Sequence, residues 1–140
     1  LIVLITTFSG AVLVSLKSES TTKNLDFASA MSASIFDFLA DSNNLKKIVE
    51  NEIDLSSGVY SNEIEDFVKN DLEFSAKDTF LEIYNNYSEN NRFNYLDKSK
   101  IIITDRSDII DKLYNIELEV YWESDQGEGL YEIETMIGAD

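Results

Sequence analysis

The sequence predicts an α+β fold: a long N-terminal helix, apolar and then amphipathic, packed on a small head with short helices and a C-terminal antiparallel β-hairpin. Two patterns carry this expectation. Residues 1–16, LIVLITTFSGAVLVSL, contain no charge in a chain of net charge −16, and beyond them the apolar residues of 25–39 recur at three-to-four spacing. From Tyr114 the period changes to two, and two alternating runs flank a turn that contains Gly127 and Gly129. Residues 1–23 therefore read as an apolar arm, and residues 24–140 as an amphipathic helix half plus a globular head.

Eleven of the first sixteen residues are Leu, Ile, Val, Phe or Ala: Leu1, Ile2, Val3, Leu4, Ile5, Phe8, Ala11, Val12, Leu13, Val14 and Leu16. The polar interruptions are the hydroxyls of Thr6, Thr7, Ser9 and Ser15, which in a helix can bond back to the preceding turn. Such a helix would run about 24 Å, slightly short of the roughly 30 Å hydrocarbon core of a bilayer. Leu1 is not Met, and a few more apolar residues upstream would complete a span. Gly10 is a soft point, costing about 1 kcal/mol relative to Ala in a helix interior. Lys17 is the first charge, as suits a membrane interface.

The helix is expected to continue to about Leu39, with Leu25, Ala28, Met31, Ile35, Phe38 and Leu39 on the face that packs on the head. Asp41 to Asn44 interrupts it. After a short piece over 45–55, Ser56-Ser57-Gly58 signals a turn. Ser61 is expected to cap a helix whose stripe is Ile64, Phe67, Val68 and Leu72, with Glu63 and Glu65 in its first turn. Ser75 is expected to start another helix, reaching Tyr87. Residues 100–104, KIIIT, read as a buried strand. Ile116, Leu118, Val120 and Trp122 on one side of the final turn, and Tyr131, Ile133 and Ile137 on the other, form the expected core of the hairpin.

Composition removes most chemistry. The chain has no Cys and no His, hence no disulfide, no thiolate and no ordinary general base or zinc ligand. No catalytic function and no cofactor are expected. Arg92 and Arg106 are the only arginines, and the lysines are scattered, so nucleic-acid binding is not expected either. The acidity reads as a solvated, self-repelling exterior. Glu123, Asp125 and Glu128 could offer oxygens to Ca²⁺, but their spacing is not that of an EF-hand loop and hairpin turns are commonly acidic. Asp105-Arg106-Ser107-Asp108 reads as a solvated turn. Tyr84, Tyr87, Phe93 and Tyr95 read as core aromatics.

The arm LIVLITTFSGAVLVSL, with Gly10 in mid-span, and the closing segment IELEVYWESDQGEGLYEIETMIG resemble the type IV pilin family. The closing segment is similar to the final strand pair of minor pilins of the PilV type and of type II secretion pseudopilins of the I type. The resemblance implies a structural subunit of a pilus or pseudopilus at the cell surface, held in the inner (cytoplasmic) membrane before assembly. It implies as partners copies of itself or other pilins, membrane lipid and the assembly machinery. It also implies peptidase cleavage and N-terminal methylation upstream of Leu1. The family's helix-loosening proline has no counterpart, since the chain has no Pro. Two other readings stay open: a single-pass anchored sensor or adhesion domain that does not polymerise, and a soluble protein whose first residues form a core helix.

Overall fold

The computed structural model describes residues 2–7, 11–16, 22–41, 43–67, 82, 85, 86, 98–124 and 127–139. In chain order these form β1 (Ile2–Thr7), β2 (Ala11–Leu16), α1 (Thr22–Ala40) and α2 (Asn44–Lys47), which runs into a π-helical turn (Ile48–Glu52). They continue with β3 (Val59–Glu63), α3 (Ile64–Asp66), β4 (Lys100–Asp105), β5 (Leu113–Ser124) and β6 (Gly127–Gly138). The sheet is antiparallel throughout, in the order β1-β2-β6-β5-β4-β3. An α+β fold of helix and antiparallel sheet is therefore what the chain adopts.

The hairpin β5–β6 is the centre of the head. Alternation sends Ile116, Leu118, Val120 and Trp122 to one face, where all four are fully buried. Opposite them in register stand Thr135, Ile133, Tyr131 and Gly129. Tyr131, Ile133 and Thr135 are buried, and Ile137 packs half-buried against the same core. On the other flank of β5, β4 adds Ile101 and Ile103 to the core while Ile102 stays half-buried. The KIIIT run is thus one-sided, with one face in the core.

Helix α1 lies across this apolar face, against β5 and β6. Ala28, Met31, Ile35, Phe38 and Leu39 are buried, and Leu25 is packed half-buried beside them. Ser32 is buried on the same stripe and is satisfied within the helix, its Oγ donating to the Ala28 carbonyl at 2.9 Å. The helix ends where expected. Asn43 takes a left-handed φ of 63°, and buried Asn44 donates its Nδ2 to the Phe38 carbonyl at 2.9 Å. An orphan carbonyl of the last turn is thereby satisfied by a side chain instead of water. Leu45, Ile48, Ile64 and Phe67 complete the core.

Three local expectations need correction. Helix α1 is described from Thr22, and Ile2–Thr7 and Ala11–Leu16 of the arm expected in the same helix are strands. Ile2–Thr7 pairs with Ala11–Leu16, and the backbone of β2 pairs with β6, Leu13 opposite Glu134 and Leu16 opposite Tyr131. An uncharged segment rich in Ile, Val and Thr has no strong preference for helix, and the open edge of β6 offers its backbone a ladder of partners. Ser61 is no helix cap. It lies inside β3, and α3 starts only after Glu63, because pairing with β4 claims the polar residues that read as a cap. Gly129 is no turn glycine, as described below. Apart from residues 82, 85 and 86, the helix expected from Ser75 to Tyr87 lies outside the described residues, as do Val68 and Leu72, the aromatics Tyr84, Tyr87, Phe93 and Tyr95, and Leu1, Phe8, Gly10 and Asp125.

Candidate functional site

The head has three features that bear on function, one interior contact and two surfaces. The first is the interior contact between Trp122 and Gly129. Trp122 is the only tryptophan of the chain and is fully buried. Its indole lies directly over Gly129, so that a Cβ on residue 129 would fall among the atoms Cε2, Cζ2 and Nε1 of the ring. Gly129 does not occupy a left-handed conformation; it is needed for space. Gly127 does the conformational work of the turn, at φ 110°. Counting back from that turn pairs Ser124 with Gly127 and hence Trp122 with Gly129.

The second feature is the outer face of the sheet. There Glu117 stands opposite Glu134, Glu119 opposite Glu132, and Glu123 opposite Glu128. Like charges directly across a strand pair are destabilising, by a few tenths of a kcal/mol to about 1 kcal/mol. The head relieves them locally. Lys98 Nζ meets Glu128 Oε1 at 2.6 Å and sits 4.7 Å from the centre of the Tyr121 ring. Tyr121 donates its hydroxyl to Glu119 Oε1 at 3.1 Å, and Asn115 Nδ2 donates to Glu134 Oε2 at 3.3 Å. Partial burial raises the Tyr121 phenol, and the charge of Glu119 and its neighbours Glu132 and Glu128 raises it further. Among the described residues no group of carboxylates is arranged to hold a metal ion.

The third feature is the β4–β5 loop. Asp105 Oδ1 accepts from the backbone N–H of Ser107 at 2.8 Å and from its hydroxyl, which together hold the Asp105 carboxyl below the ordinary carboxylate range. Arg106 grips Asp108 with Nε at 3.0 Å and a second nitrogen at 3.2 Å, and this contact lowers the Asp108 carboxyl. Both carboxylates of the Asp-Arg-Ser-Asp run are thus spent on building the turn, as a solvated turn requires. The backbone closes through Arg106 N–H to the Leu113 carbonyl, and Lys112 takes a φ of 60°. At the tip of this braced loop Ile109 and Ile110 are 52% and 63% exposed. No sequence pattern set them apart from the strand that precedes them.

The chain matches no family model, no curated protein and no solved structure. What bears on its function is its own residues. Within the head they describe a packing unit: a helix stripe, a hairpin that receives it, and an acidic outer face. Among the described residues no helix is long and apolar enough to cross a membrane.

Proposed function

We propose that the chain is a pilin-like structural subunit, assembled at the cell surface through its apolar N-terminal arm and displaying the acidic head outward. One observation carries the reading. An uncharged arm of sixteen residues leads into an amphipathic helix whose apolar stripe is spent on an antiparallel sheet closed by a C-terminal hairpin. The helix face from Leu25 to Leu39 is therefore occupied by the subunit's own head, so it is the arm, on leaving its pairing with β6, that engages neighbours.

An arm of this composition has two homes in which it escapes water, a bilayer before assembly and a bundle of like arms afterwards. Neither offers a sheet edge. With no external backbone partner, residues 1–23 satisfy their own N–H and C=O groups only as a helix, continuous with α1. In the chain by itself Ile2–Thr7 and Ala11–Leu16 lie as strands, β2 along the edge of β6 and β1 along β2. Each large aliphatic side chain moved out of water contributes roughly 1.5–3 kcal/mol, so the arm as a whole exceeds the cost of ordering one subunit. The role is structural, with copies of the chain or other pilins, membrane lipid and the assembly machinery as partners.

A charge in mid-arm tests this. Asp in place of Leu13 should cost about 2.5–3.5 kcal/mol at the centre of a membrane helix. The Leu13→Asp chain is expected to disappear from both membrane and filament fractions while the buried Trp122 keeps its emission. Undiminished incorporation into filaments would overturn the proposal.

A further inference from the structure

Among the described residues, strand β3 is the outermost strand on its side of the sheet, and its side chains at Val59, Ser61 and Glu63 are exposed. The ladder to β4 is bracketed by two bonds, Asp105 N–H to the Gly58 carbonyl at 2.9 Å and Ile64 N–H to the Ser99 carbonyl at 2.8 Å. Alternation then fixes the rest. Gly58, Tyr60, Asn62 and Ile64 turn their backbone groups toward β4, and Val59, Ser61 and Glu63 turn theirs outward. An outward row of this kind is a template for another strand.

Two outward groups are already taken by neighbouring side chains. Ser57 Oγ donates to the Val59 carbonyl at 3.0 Å, and Asn62 Oδ1 accepts from the Glu63 N–H at 2.8 Å. Their positions are not independent. In a two-fold antiparallel pairing of β3 with a second copy, centred on Ser61, Val59 of one chain stands opposite Glu63 of the other. The Glu63 N–H of each chain would then have to reach the Val59 carbonyl of its neighbour. The two side chains thus occupy the donor and the acceptor of one and the same bond, and by symmetry they do so at both ends of the ladder.

We propose that Ser57 and Asn62 are edge caps, which close β3 to pairing with another copy of this chain. The device has a purpose wherever many copies are held at high local concentration, and it is independent of how the arm is buried. Removing both caps leaves that donor and acceptor seeking a partner, which a second copy supplies.

The chain has no Cys, so Ser61→Cys installs a unique thiol at the centre of the edge. In the centred pairing the two thiols face one another across a pair of strands about 5.5 Å apart at Cα, within disulfide range. The full chain in detergent micelles is oxidised mildly, and the rate of disulfide dimer formation is read for S61C and for S61C with S57A and N62A. Ala33→Cys, on the exposed face of α1, reports random collision. S61C with its caps is expected to cross-link no faster than A33C, and uncapping to raise its rate on the order of tenfold, as about 1 kcal/mol per freed bond implies. The A33C rate should not respond to uncapping. Equal S61C rates with and without caps, whether both high or both at the collision level, would overturn the proposal. Should the doubly uncapped chain lose its circular dichroism signal, S57A alone is read, since Ser57 is an exposed turn hydroxyl. An intermediate rise is then expected, and an unchanged rate overturns the proposal.

Discussion

Adding one methyl group at Gly129 is the most informative perturbation of the head. A Cβ there lands on the indole of Trp122, which is fully buried in the hydrophobic core. Either the indole or the β6 backbone must move, and such overpacking costs typically 1–3 kcal/mol. Two other glycines calibrate the result. Gly138→Ala meets open space at an ordinary φ and should be nearly neutral. Gly127→Ala also meets open space but forces a side chain into φ 110°, costing about 1–3 kcal/mol through backbone strain alone. Urea unfolding followed by the single tryptophan separates the mechanisms. Gly129→Ala should lower the midpoint and perturb the native emission, whereas Gly127→Ala should lower the midpoint and leave the emission unchanged. Trp122→Leu, itself costly as a core truncation and followed by circular dichroism because it removes the only tryptophan, should remove most of the Gly129→Ala penalty in a double-mutant cycle. A Gly129→Ala penalty that persists undiminished with Leu at position 122 would refute the steric account.

Other outcomes follow from the same geometry. Met31→Ala and Ile35→Ala, both fully buried on α1, should each cost about 2–5 kcal/mol in denaturant unfolding, whereas Ile110→Ser at the exposed loop tip should stay within about 0.5 kcal/mol. Asn44→Ala leaves the Phe38 carbonyl without its buried donor and should cost about 1–3 kcal/mol by the same measurement. Asp105, Asp108 and Asp54 all have folded-state carboxyls held below the ordinary range by hydrogen bonds from Ser107, Arg106 and Ser56 respectively. Their contribution is therefore present above the ordinary carboxylate range and is lost as pH falls through the depressed values. Ser107→Ala should move the Asp105 carboxyl back up toward the ordinary value in an NMR titration, and an unmoved titration would contradict the assigned cause.

What could be read in the sequence was whatever depended on a single period. The stripe from Leu25 to Leu39 and the alternation from Ile116 to Trp122 are each set by local geometry, and the structure buries both. What escaped depended on partners distant in the chain. Ser61 followed by acidic residues is equally consistent with a capped helix and with a polar edge strand, and β4, nearly forty residues later, decides between them. Gly129 looked like a turn residue because its need for space arises from Trp122 across the hairpin. The arm shows no clear period, since eleven of its sixteen positions are apolar and none is charged, so its backbone form follows from what surrounds it. The acidic cross-strand pairs were legible as a solvated face, but not their relief by Lys98, which depends on register.

Cell fractionation of the unmodified protein addresses the proposed role most directly. The chain is followed with an antibody to the head through membranes, sheared surface filaments and the soluble fraction, and residues 1–16 are checked by mass spectrometry. A filament subunit with an apolar arm predicts recovery from membranes before assembly and from sheared filaments afterwards, with the arm intact in both. Recovery as a soluble monomer that still carries residues 1–16 would contradict it.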